Sequence, residues 1–153
     1  MLPTNELVAI SWLRTIPGIP SDKVSTNLPS GDNETALVSG GFVTVLTIGG
    51  SVNPHLPRRD PVLQVDCWAL EPDSRRKPPF RRANQLAEII QEACYEPSNF
   101  GFVETKTGYD NAGVQSAYLI TVPRKVDPVD PARYARYTFD LQLHWVRIPR
   151  EEP

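Results

Sequence analysis

Apolar and polar residues alternate most regularly over residues 61–70. Leu63, Val65, Cys67 and Ala69 fall on one side and Val62, Gln64, Asp66 and Trp68 on the other, the period-2 pattern of a pleated strand. The period changes at Phe80. From there to Tyr95 the residues Ala83, Leu86, Ala87, Ile90 and Cys94 recur at helical spacing and form one apolar stripe. A buried strand leading to an amphipathic helix is a small core unit. Neighbouring strands need it as a packing partner, because a lone hairpin is marginal in water.

The remaining pattern fills in around this unit. Thr4 is placed to cap a helix running to Leu13, with Glu6 in the first turn, where a carboxylate suits the dipole. Leu7, Ile10, Leu13 and Trp12 supply its apolar side, and Pro17–Gly18 closes the segment. Residues 23–28 alternate at Val24, Thr26 and Leu28 as a short strand, and 29–35 form a polar turn. Residues 42–48 are β-branched and aromatic and end in Gly49–Gly50, as a strand should. Residues 53–60 are a loop, 100–105 a strand, and 107–113 a turn marked by Gly108, Asp110, Asn111 and Gly113. Residues 114–123 are a strand with Tyr118, Ile120 and Val122 on one face, and 125–133 a proline- and aspartate-rich loop. The last strand, 134–148, sets Tyr137, Phe139, Leu141, Leu143 and Trp145 against Thr138, Asp140, Gln142 and His144. One of its faces is expected to pack on the helices and the other to meet water or another subunit. The order α-β-β-β-α-β-β-β predicts an α+β fold: a mainly antiparallel mixed sheet of about five to six strands packed by two helices. Trp68 is assigned to the core.

At 153 residues the chain is expected to form a single domain over 1–153, with proline-rich loops and a flexible C-terminal end. Its 16 prolines are about twice the usual proportion and are spread between elements, which suits rigid connections. The net charge of −2 gives no global bias toward nucleic acid or anionic membrane. No apolar run approaches the ~18 residues of a membrane-spanning helix, and the start lacks the pattern of a signal peptide. Cys67 and Cys94 read as two free buried thiols; a disulfide requires their Cα atoms within about 7 Å.

Catalytic constellations are missing from the sequence. His55 sits in a proline-rich loop and His144 on a polar strand face, without the Cys, Asp or Glu helpers that a metal requires. Gly40–Gly41 and Gly49–Gly50 flank a strand but lack the context of a phosphate loop, and Ser39 and Ser51 are not nucleophile elbows. Asp66 shares the face of Gln64 and reads as facing solvent or an interface. No enzyme activity, cofactor or metal is therefore expected. One electrostatic feature is local. Arg75, Arg76, Lys77, Arg81 and Arg82 gather before and in the first turn of the second helix, while Glu92 and Glu96 lie at its far end. That order opposes the helix dipole, at about 0.3–1 kcal/mol per exposed charge. The segment is either a solvated basic loop or a surface whose charges meet outside partners, such as acidic groups on a neighbouring subunit or a phosphate backbone.

Taken together, several stretches resemble a known family. The order runs from a helix ending SWLRTIPGIP to VSTNLP, then the strand FVTVLTIGG, then RDPVLQVDCWAL, then the helix ANQLAEIIQEA. In that order they resemble the tail terminator proteins of long-tailed, siphovirus-type bacteriophages, especially those of actinobacteria. VDCWA followed by a helix is the most specific piece, and the resemblance covers most of the chain. The proline-rich link between Trp68 and the helix is longer than the family's short link, which detaches residues 75–82 from its pattern.

The resemblance implies a virion structural protein of the neck, assembled in the host cytoplasm. It implies a homo-hexameric ring on the head-proximal end of the tail tube, which stops tube polymerisation and offers the docking surface for the head. Its partners would be its own copies, the tail tube protein, a head-side connector or stopper protein, and genomic DNA passing through the lumen without sequence-specific binding. A ring needs two different patches per subunit that meet across a rotation axis. Candidate subunit-interface or lumen contacts are Arg58, Arg59, Arg75, Arg76, Lys77, Arg81, Arg82, Glu92 and Glu96, with Glu151 and Glu152 as further acidic groups. Two rivals stand beside this reading: another connector protein, of the stopper or head-completion kind, and a basic-loop nucleic-acid-binding module. Against the second, Phe80 alone interleaves with the basic residues, and the net charge is negative.

Overall fold

The computed structural model describes residues 1–29, 38, 40–71, 78–126 and 134–151. Thr4 caps the first helix as its position predicts: its Oγ1 accepts from Leu7 N at 3.1 Å. That helix, α1, spans Asn5–Leu13. It is followed by β1 (Val24–Ser25), β2 (Phe42–Val52), β3 (Arg59–Leu70), α2 (Phe80–Ala93), a 3₁₀ turn (Pro97–Asn99), β4 (Gly101–Val103), β5 (Asn111–Leu119), β6 (Arg124–Val126) and β7 (Tyr134–Ile148). All seven strands belong to one sheet in the order β1-β2-β3-β7-β5-β4, with β6 also pairing β7. Only β1–β2 is parallel, so the α+β reading holds, with a seventh strand beyond the expected five to six.

The two strands with the cleanest alternation form the centre. β3 pairs antiparallel with β7 along its length, from Arg59↔Trp145 to Leu70↔Tyr134. Their inward residues Leu63, Val65, Cys67, Phe139, Leu141, Leu143 and Trp145 are fully buried. α2 lays Ala83, Leu86, Ala87, Ile90 and Ala93 against this face, and Trp12 and Leu13 of α1 join the same cluster. Each large side chain so buried contributes roughly 1.5–3 kcal/mol. At the far edge, Asp110 clamps the C-terminal segment: its carboxylate accepts from Arg147 Nε at 2.7 Å and from Arg150 N at 3.1 Å. Among the described residues, no helix is long and apolar enough to cross a membrane.

Several expectations are corrected. α1 is not one-sided: residues 8–13 are all buried, because the segment around Asn99 and Phe100 closes over it. Trp12 Nε1 donates to Asn99 O at 2.9 Å, and its ring stacks on Phe100 at 5.9 Å. β2 does not stop at Gly49–Gly50 but runs to Val52 through a bulge between Thr47 and Gly49. Gly50 makes this possible, with φ +124 and its α-carbon so close to β3 that a Cβ would sit 2.4 Å from Asp60 O. β5 begins at Asn111, inside the stretch read as a turn, and β6 lies at the start of the stretch read as a loop. β5 and β6 run along the same side of β7, separated by a short irregularity at which Ile120 N donates to Asp140 O at 2.8 Å. Trp68 does not join the main core. It is half-buried on the opposite face, in a smaller cluster with Val38, Phe42, Leu70, Leu28 and Tyr134. The remainder of the 125–133 loop, most of the 29–35 turn and the last two residues lie outside the described residues.

Candidate functional site

α1 and α2 pack on one face of the sheet; among the described residues the other face is covered by Leu28 and Val38 at its Trp68 end and is more open beyond it. Its central strip is polar. Asp60, Gln64, Asp66, Arg136, Thr138, Asp140, Gln142 and His144 follow from the register of β3 and β7. Two ion pairs lie on it, Arg136 with Asp66 and His144 with Asp60. Arg136 Nε lies 3.1 Å from Asp66, and its guanidinium covers the Trp68 ring at 5.1 Å. Trp68 Nε1 in turn donates to Thr44 Oγ1 at 2.9 Å. Asp66 is thus on the open face, as the sequence implied, but it is ion-paired.

Asp60 anchors the end of the β2–β3 hairpin. It is buried, and its Oδ1 accepts from Arg58 Nε at 2.7 Å and meets His144 Nδ1 at 2.5 Å. Burial alone would raise the Asp60 pKa, but the hydrogen bonds from His144 and Arg58 and the Arg58 charge bring it below the usual carboxylate value. The Tyr118 ring packs beside His144 at 5.8 Å. The arrangement fixes a hairpin. Among the described residues no group of three metal-ligating side chains occurs.

The expected interface residues are not gathered into one patch. Arg58 and Arg59 sit at the start of β3, where Arg58 pairs with Asp60 and Arg59 lies over the Trp145 ring at 5.6 Å. Arg81 and Arg82 open α2, and the adjacent Ala83 clusters with Ala69 and Ala135 near the opposite end of β3. At ~3.3 Å per residue, the 12 residues of β3 keep the two arginine pairs far apart. Arg82 has its own partners, donating to Gly40 O at 2.9 Å and Gln85 Oε1 at 2.9 Å. Glu96 caps the 3₁₀ turn by accepting from Ser98 N at 3.2 Å. Arg81 and Glu92 are exposed at the two ends of α2. Glu88, Glu92 and Glu96 border a shallow groove of about 660 Å³ with Ile16, Pro17 and Ile89. Arg75, Arg76, Lys77 and Glu152 lie outside the described residues; Glu151 is exposed.

The open face has a second feature that the sequence pattern concealed. β5 turns its small or medium residues inward, with Ala117 buried and Leu119 packed on the core. Its larger apolar residues point outward: Tyr118 is 49 % exposed, and in the following segment Ile120 is 51 % and Val122 81 % exposed. On the opposite side of the sheet, Leu46 and Ile48 of β2 are 58 % and 48 % exposed. These two apolar strips border the polar centre. Both lie beside unpaired strand edges. β1 covers β2 only at Val43 and Thr44, and β4 covers β5 only up to Val114. A groove of about 370 Å³ runs beside the β5 edge, lined by Tyr95, Cys94 and residues 117–122. Cys67 and Cys94 are both free; Cys67 is buried, Cys94 partly so, and burial pushes the Cys94 thiol up to about 11.

No family model and no curated protein matches the sequence. Among solved structures, the fold is similar to a chain from the virion of the native gene transfer agent particle, with a TM-score of 0.55. The match has 11 % sequence identity and covers 94 % of this chain and 96 % of that one. At that identity the likeness establishes the fold, end to end, and nothing finer. A second solved chain, 16 % identical with a TM-score of 0.40, is superimposed too loosely to support an inference.

Proposed function

We propose that this chain is a virion structural protein of a long-tailed bacteriophage: a tail terminator. In this reading it forms a ring, a hexamer in the family it resembles, on the head-proximal end of the tail tube. The ring stops tube growth and presents the surface to which the head-side connector docks. DNA passes through its centre without base-specific contact, and the protein acts as a scaffold rather than an enzyme.

The observation that carries the proposal is the end-to-end fold likeness to a virion chain, which spans nearly the whole of both proteins. The order of sequence elements from SWLRTIPGIP to ANQLAEIIQEA points the same way. The surface agrees in kind, since Asp66 and Asp60 on this face are ion-paired with Arg136 and His144 while apolar side chains at its two borders stay exposed. A protein that functions among copies of itself or other subunits has use for such borders.

The test is tube growth. Purified protein is added to polymerising tail tube protein, and tube lengths are followed by electron microscopy. Shorter tubes that stop growing, in proportion to the amount added, support the terminator. Unchanged tubes together with tight binding to the head-side connector would replace it with the stopper reading. Indifference to both with strong, salt-sensitive DNA binding would remove the structural reading.

A further inference from the structure

We propose that copies of this chain join head to tail through their sheets, the free edge of β2 in one copy pairing antiparallel with the free edge of β5 in the next. This inference rests on the ring reading above and names the surfaces that would build the ring.

The two edges match in four respects. First, each has an unpaired stretch. Among the described residues, β2 lacks a strand partner on its outer side over residues 45–52, and β5 lacks one over residues 115–119, with residues 120–122 following it. Second, neither stretch carries a charge or a proline of its own. VLTIGGSV and QSAYLITV lack both, two of the devices that stop an edge from recruiting another strand. Third, the directions agree. β2 is antiparallel to β3, β3 to β7 and β7 to β5, so β2 and β5 run in opposite senses. A neighbouring copy brought up by rotation alone would continue the antiparallel alternation without a break. Fourth, the covered ends do not collide. β1 occupies the N-terminal end of β2, and β4 the N-terminal end of β5. In antiparallel pairing those ends lie at opposite limits of the joint.

The side chains then explain the inverted pattern of β5. Leu46 and Ile48 on one border of the open face would meet Tyr118 and Ile120 of the next copy, merging two exposed strips into one covered strip. The contact is heterologous, with different patches on the two partners, and such contacts close into rings. One side chain must yield. Glu6 Oε1 accepts from Thr47 N at 3.2 Å and so occupies one edge donor in the separate chain. This makes Glu6 a guard of the β2 edge until a strand replaces it.

Charge-swap variants of the full chain test the joint at Leu46 and Ile120, which face each other when the two strips meet antiparallel: Leu46→Lys, Ile120→Glu, and both together. Both side chains are about half exposed, so thermal unfolding of each variant should match the parent and report intact folding. Oligomer mass is read by sedimentation at rising concentration and by microscopy of tail-tube ends. Each single variant should weaken self-association by about tenfold or more. The double variant should recover it, because every joint then sets a lysine against a glutamate. Single variants that assemble like the parent would overturn the edge pairing while leaving tube capping by the parent intact. A parent chain that stays monomeric both alone and on tubes would overturn the pairing together with the ring.

Discussion

Asp60 shows how one residue holds the open face together. Its carboxylate joins the start of β3 to His144, 84 positions later, and to Arg58. Asp60→Asn keeps the shape but weakens both charge-assisted bonds, and should destabilise the fold by roughly 1–3 kcal/mol, read from urea unfolding. The pH dependence has a definite sign. Glu6, Asp60 and Asp110 all have folded pKa values below their ordinary ones. For Glu6 and Asp60 burial pushes upward, and hydrogen bonds outweigh it; for Asp110 the backbone N–H of Arg150 is the leading cause, with Arg147 assisting. Groups held below their unfolded values add stability that is fully present above those values and is lost as pH falls through the folded ones. Unfolding stability should therefore decline below about pH 4, while between about pH 5 and 7 these three ionised groups contribute a constant amount. A rise in stability on acidification through pH 4 would contradict these assignments. Gly50 makes a separate prediction. With φ +124 and no room beside Asp60 O, Gly50→Ala should loosen the hairpin and destabilise by about 1–3 kcal/mol, measured by thermal unfolding.

Among the elements, β3, β7 and α2 were legible in the sequence because each carries a full period of apolar positions over ten or more residues. The faces of β7 follow its alternation directly, with Phe139, Leu141, Leu143 and Trp145 buried. α1 was legible as a helix but not as a buried one, since what covers Trp12 comes from Asn99 and Phe100. β5 was legible as a strand with two faces, but alternation does not say which face is inside. The structure turns Ala117 and Leu119 inward and leaves Tyr118 outward. The charged residues were hardest to place. Arg82 opposes the dipole of α2 on paper, yet the carbonyl of Gly40, 42 positions earlier, receives it. Mutations should sort the same way. Trp12→Ala should remove roughly 3–5 kcal/mol of stability. Val122→Ser, at an outward position, should change it by no more than about 0.5 kcal/mol while weakening assembly. Equal losses for the two would mean that the outward strip is part of the folded core.

At the scale of the whole molecule, and among the described residues, α1 and α2 cover one face of the sheet, while the other is covered only at its Trp68 end and lies between two partly unpaired edges. That asymmetry suits a subunit that is complete as a fold but unfinished as a surface. Its conspicuous exposed side chains are apolar and lie along strand edges. Whether copies close into a ring at the end of a tail tube is read from averaged electron micrographs of tube ends with the protein bound. A ring would appear as a discrete cap with rotational symmetry, sixfold if the family's ring order is kept, on one end of each tube and with an open centre. Tube ends without added density, or protein spread along the tube wall, would contradict it.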